Sequence, residues 1–136
     1  MPFDVHAKPP REAQKNEFGG LASAFGVEID SLMPTFIEAG AFKNTLANKA
    51  ERSRVKVLFE HSMLIGVPTL LDEQDKGLMV MGKVSETTLG NDVLILLRDG
   101  ALDEMSIGFD PVEYYYKEDP KKRMCRHITE ARLWEF

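Results

Sequence analysis

The clearest pattern along the chain is the alternation over residues 54–60. Val55, Val57 and Phe59 share one face, and Arg54, Lys56, Leu58 and Glu60 share the other. This predicts a strand with one face in a core and puts His61 at its end. Two further apolar runs, 66–71 and 78–84, read as strands, with the polar stretch 72–77 as their hairpin loop. The small-residue segment 18–25 reads as a first strand, in which Gly19 and Gly20 permit a bend or a close backbone approach. Residues 27–30 extend it until Pro34 breaks the pattern. Near the other end, residues 104–116 predict a strand, 117–122 its turn around Pro120, and 123–136 the returning strand.

Two segments carry helical spacing instead. Over 40–52, Phe42 and Leu46 fall on one face that Ala39, Ala47 and Ala50 extend. Over 91–99, Val93, Leu94, Leu96 and Leu97 supply a buried side, and Gly100 stands where a helix C-terminal glycine belongs. Strands outnumber helices and do not alternate with them, which disfavours a parallel βαβ sheet. The expected class is mainly β: a small, mostly antiparallel β-barrel flanked by two or more helices. Residues 1–16, polar and holding Pro2, Pro9 and Pro10, read as a flexible N-terminal arm, and 17–136 as the folded domain.

Composition narrows the function classes. With 136 residues, one domain can bury a core without disulfides or metal staples. Hydrophobic residues at 43% and charged residues at 29% are a soluble balance, so disorder is not expected. A net charge of −5 argues against nucleic acid as a partner, since no basic face offsets phosphate charge. The short basic run Lys121-Lys122-Arg123 reads as a solvated turn. The single cysteine, Cys125, cannot close an internal disulfide. No apolar run has the length of a membrane span, and the N-terminus lacks the apolar stretch of a signal peptide. A cytoplasmic setting is therefore expected.

Serine hydrolysis needs a hydroxyl, a base, a group that orients the base, and donors for the oxyanion. Ser106 follows a helix–Gly–loop and precedes Ile107-Gly108, where a missing side chain lets the backbone be approached. His61 opens the loop after its strand, where a side chain is both anchored and exposed. Taken singly, such a serine is an ordinary half-buried polar residue and such a histidine an ordinary surface one, and spacing alone does not make them catalytic. For the third member, Glu130 and Glu135 compete. If the 117–122 turn is symmetric, Tyr116 pairs with Arg123, Ser106 falls opposite Leu133, and Glu135 shares its face; a slip by one residue selects Glu130. Cys125 and His127 also share a strand face. They lack a second pair with metal-ligand spacing, so Cys125 reads as a small apolar residue, and His6 and His127 as surface residues.

The segments FGGLASAFG, EAGAFKNTL, RVKVLFEHS, GLMVMGKV, LLRDGALDEMSIGF and ITEARLWE occur in this order. As a set, over about residues 18–135, they resemble the prohead proteases of tailed phages, which mature the capsid. The resemblance implies a herpesvirus protease-like fold. It implies a serine endopeptidase with the histidine closing RVKVLFEH, His61, as base. The serine of SIGF, Ser106, would be the nucleophile, and the glutamate of LWE, Glu135, the third member. Oxyanion donors would be backbone N–H groups. No cofactor and no metal are implied. Substrates would be the phage major capsid protein, the scaffold and the enzyme itself, inside the assembling prohead in the bacterial host cytoplasm, with homo-oligomerisation left open. Members of the family usually run on past LWE through a further strand, a departure that a truncated chain, a self-cleaved product or a diverged member would each account for. Ser62 stands where the family commonly has an acidic residue. The contrasting expectation is a catalytically inactive capsid-assembly or scaffold-binding barrel.

Overall fold

The computed structural model describes residues 14–29, 31 and 33–136. Among them seven strands and three helices follow in order. They are β1 (Glu17–Ala24), β2 (Thr35–Ile37), α1 (Lys43–Ala47), α2 (Lys49–Arg54), β3 (Val57–Phe59), β4 (Met63–Gln74), β5 (Gly77–Val84), α3 (Thr88–Arg98), β6 (Gly108–Glu118) and β7 (Met124–Glu135). The expected N-terminal arm and His6 fall outside the described residues, apart from 14–16, where the Asn16 carbonyl accepts from Val84 N at 2.9 Å.

β1, β5, β4 and β3 form one antiparallel sheet in that order. The near-continuous apolar run of β5 follows from this: it lies between two strands, and every residue but Lys83 is buried. β2, β7 and β6 form the second sheet. The two sheets meet at the end of β7, where Lys56 N donates to Trp134 O (3.2 Å), Phe136 N to Lys56 O (3.1 Å) and Leu58 N to Phe136 O (2.9 Å). A second junction is Gly26 N to Ile37 O at 3.0 Å. The result is a mainly β fold, a curled half-barrel with helices laid against it. Its core holds Ile37, Phe42, Val57, Val80, Ile128 and Leu133, all nearly or wholly inaccessible. Burying one such side chain contributes about 1.5–3 kcal/mol.

Five expectations need correction. The single helix over 40–52 is two short ones. Asn48 ends α1 and caps α2, its Oδ1 accepting from Ala50 N and Glu51 N, because an Asn side chain favours capping over helix interior. The strand over 54–60 shrinks to β3, with Arg54 still in α2, although Val55 and Val57 keep their common buried face. The strand over 104–116 begins only at Gly108. Leu102, Met105 and Ile107 pack on the core without a strict period of two, so the segment before Gly108 is irregular. The register is shifted as well: Tyr116 lies opposite Arg126, and Leu133 opposite Phe109 rather than Ser106. The turn spans Asp119 to Arg123, so Lys117 and Glu118 still pair within the sheet. The pairing is mostly antiparallel, as expected, with β2 and Lys56 running parallel to β7.

Candidate active site

His61 sits at the second central position of a tight turn, not at a strand end. Phe59 pairs with Met63, and Ser62 N donates to Phe59 O at 3.2 Å. Glu60 and His61 both have left-handed backbones, with φ of 52° and 59°. Two consecutive positive φ values with this hydrogen bond are the pattern of a type I′ hairpin turn, which normally takes Asn-Gly. A non-glycine residue pays about 1–2 kcal/mol in this conformation. Such strain gathers at functional sites, where distant contacts enforce it.

The enforcing contacts come from β7. The parallel run of Lys56 against residues 134–136 sets Glu135 beside the turn. There Glu135 Oε1 contacts His61 Nδ1 in a close hydrogen bond. The imidazole is about half exposed, whereas only 9% of the Glu135 side chain is accessible. Glu135 Oε2 is buried with no hydrogen-bond partner. With Nδ1 occupied, Nε2 is the ring nitrogen left to exchange a proton.

Ser106 arrives from the other side. α3 is capped at its start by Thr87 Oγ1, which accepts from Gly90 N at 2.9 Å. It ends in a Schellman motif: Gly100 has φ 75°, Gly100 N donates to Leu97 O (3.2 Å) and Ala101 N to Leu96 O (2.9 Å). The chain then turns back, and buried Met105 with half-buried Ile107 anchors it on either side of exposed Ser106. Ser106, His61 and Glu135 line one cavity of about 330 Å³. Its walls are largely apolar, including Phe18, Val57, Val93, Leu97, Leu102 and Met105. No hydrogen bond joins Ser106 to His61 among the described residues, a looseness that resting hydrolases tolerate.

The competing candidates lie elsewhere. Glu130 accepts from Asn44 Nδ2, beside α1, and does not line the cavity. Cys125 is buried, which pushes its thiol above the ordinary range and away from nucleophilic use. His127 is not a free surface residue: its ring stacks between Phe36 and Tyr115, and Nδ1 contacts Glu38 Oε1 at 2.6 Å. Among the described residues no cluster of three or more His, Cys, Asp or Glu side chains is placed to hold a metal ion. No described helix is long and apolar enough to cross a membrane.

One participant escaped sequence reasoning in its role. Gly108 was singled out for close backbone approach next to the serine. It stands instead directly across the sheet from Glu135. The SIGF motif signals the glycine, but only the register reveals its neighbour.

A family model described as caudovirus prohead serine protease matches residues 3–136. No curated protein and no solved structure matches the chain.

Proposed function

We propose that this chain, which belongs to the caudovirus prohead serine protease family, is a serine endopeptidase acting through Ser106, His61 and Glu135. Family membership supports a role as a protease of bacteriophage capsid maturation, with phage capsid proteins as the substrate class. The finer assignment rests chiefly on one observation: a histidine in a strained turn, paired through Nδ1 with a buried carboxylate, lines the same cavity as Ser106.

Ser106 Oγ attacks the scissile carbonyl carbon, and its proton passes to His61 Nε2. The C–N bond then breaks, and that proton goes to the departing amine. Water, deprotonated by the same nitrogen, releases the acyl group and restores the serine. Glu135 keeps the proton of the neutral ring on Nδ1 and stabilises the imidazolium that forms. The apolar wall gives an extended substrate a place to bury a side chain, and backbone N–H groups supply the oxyanion donors. The major capsid protein, the scaffold and the enzyme itself are the proposed substrates, within the assembling prohead in the bacterial host cytoplasm. The half-barrel with external helices is read as the herpesvirus-protease arrangement on the strength of the sequence resemblance.

The test is co-expression with the cognate capsid protein and scaffold, beside labelling with a serine-directed phosphonate. The parent should cleave and be labelled, while Ser106→Ala should do neither and remain folded. Losing one exposed hydroxyl changes stability by no more than about 1 kcal/mol. A folded Ser106→Ala variant that cleaves like the parent overturns the assignment. A parent that neither cleaves nor labels favours the inactive assembly barrel.

A further inference from the structure

We infer that Gly108 is a positioning residue for the His61–Glu135 pair: the volume its missing side chain leaves open is the volume the Glu135 carboxylate occupies. Gly108 is the cross-strand partner of Glu135 at the first pair of β6 with β7. A Cβ placed on Gly108 would lie 2.9 Å from Glu135 Cγ, 3.0 Å from Cδ and closer still to Oε1. The approaches to Oε1 and Cγ are shorter than real Cβ atoms show, and that to Cδ is tighter than most. The nearest obstacle at Gly66, Gly77 and Gly90 is a backbone oxygen, whereas at Gly108 all three nearest atoms belong to this one carboxylate side chain.

Conformation does not explain the glycine. Gly26, Gly40, Gly77 and Gly100 have positive φ, and Gly108 does not. Its backbone is extended strand that alanine adopts freely. What excludes a side chain is the neighbour.

Nor can the neighbour yield without leaving His61. On one side β7 meets Gly108 of β6; on the other, Lys56 bonds to both Trp134 and Phe136 and so pins the Glu135 backbone. The carboxylate has one hydrogen-bonded oxygen, on His61, while Oε2 is buried and unpartnered. No second hydrogen bond fixes its rotation, so the walls of its slot do, and Gly108 is the wall in contact with Oε1. A methyl group there displaces the oxygen that holds His61 Nδ1.

The catalytic part of this inference rests on the proposed function; the geometric part does not, and the experiment separates them. Gly108→Ala, Glu135→Ala and the double variant are compared with the parent by thermal unfolding, by NMR of the His61 ring and by peptide cleavage. An imidazole Nδ1–H bonded to a carboxylate gives a far-downfield proton signal, which Gly108→Ala should abolish. Cleavage should lose about 10²-fold in kcat with little change in KM, the scale of an ångström-sized misplacement. Gly108→Ala should lower Tm by about 5 °C when Glu135 is present. In the Glu135→Ala background, the same substitution should change neither Tm nor kcat. If Gly108→Ala alone fails to fold, the double variant should still fold as well as Glu135→Ala. Two results overturn the inference: a downfield signal and kcat unchanged by Gly108→Ala, or an equal loss of Tm with and without Glu135. If the parent shows no peptidase activity, the proposed function fails, while the unfolding comparison still decides whether Gly108 makes room for Glu135.

Discussion

Two hairpin turns of this molecule are built on opposite plans. The distal turn between β6 and β7 is satisfied by its own residues. Asp119 accepts from Lys121 N (2.9 Å), Arg123 N (2.8 Å) and Arg123 Nε (2.8 Å), and Asp119 N donates to Arg123 O at 2.9 Å. Its one left-handed residue, Lys122, costs little beside that set. The turn holding His61 has two left-handed non-glycine residues and no comparable side-chain cap. What holds it comes from 74 positions away in sequence, through Glu135. Arg123 adds one distant tie, donating to Glu28 Oε1 at 2.8 Å, but the bonds that set the turn's conformation are its own. A turn held only from afar reports on whether the rest of the fold is in place, and its side chains are free for chemistry.

The largest effect that separates the two plans is at Glu135. Glu135→Gln keeps shape but removes the charge that matches His61, and kcat for peptide cleavage should fall by about 10²–10⁴-fold. Glu130→Gln, which touches only the Asn44 contact, should leave cleavage within about twofold of the parent, and stability within about 0.5 kcal/mol. Equal damage from both variants would break the assignment of the long-range support to Glu135.

A middle-sized effect is expected from relieving strain in the His61 turn. Glu60→Gly places the residue that tolerates positive φ at the first central position and should stabilise the protein by about 1 kcal/mol, a rise in Tm of about 3 °C. A fall in Tm would mean that the turn is not strained by its left-handed pair. The counterpart in the distal turn, Lys122→Gly, should raise Tm less, because the Asp119 bonds already hold that conformation.

The smallest effect is acid loosening of the distal turn alone. The Arg123 backbone N–H holds the Asp119 carboxyl below its usual range, aided by the Arg123 side chain and Lys121 N. A lowered carboxylate contributes stability that is fully present above its ordinary range and fades as pH falls through the lowered folded value. Amide exchange at Lys121 and Arg123 should therefore accelerate, beyond its intrinsic pH dependence, at the acid end of that window. Asp119→Asn should remove the pH dependence. Unchanged protection at those amides through the same window would show that the carboxylate does not hold the turn.

The same contrast explains what could be read in advance. Features set by near neighbours were legible: β1, the existence of the β4–β5 hairpin and the glycine that closes α3 follow from local pattern and turn chemistry, although the expected loop at 72–77 tightens to residues 75 and 76. Asn48 was legible in principle, as a capping residue inside an otherwise helical period, yet the Phe42–Leu46 spacing hides it. The register of β6 on β7 was not, because a turn of five residues and three irregularities in the pairing shift it from the symmetric expectation. Thus Glu135 was preferred over Glu130 on a strand parity that Ser106, lying before β6, does not obey. The alignment of Lys56 with the end of β7 is a parallel contact between distant segments, and no local periodicity encodes it. Ser106, His61 and Glu135 could be named from motif order, but their convergence on one cavity could not be derived from spacing.

The closure of residue 61 onto residue 135 also sets an order in time. Ser106 and His61 are both synthesised before the segment that carries Glu135, and every emerging chain passes through a stage with nucleophile and base but no orienting acid. Bringing the ends of so long a loop together costs entropy that is recovered only when β7 has found β2, β6 and Lys56. A nascent or half-folded chain therefore lacks the proposed assembled site until β7 has paired.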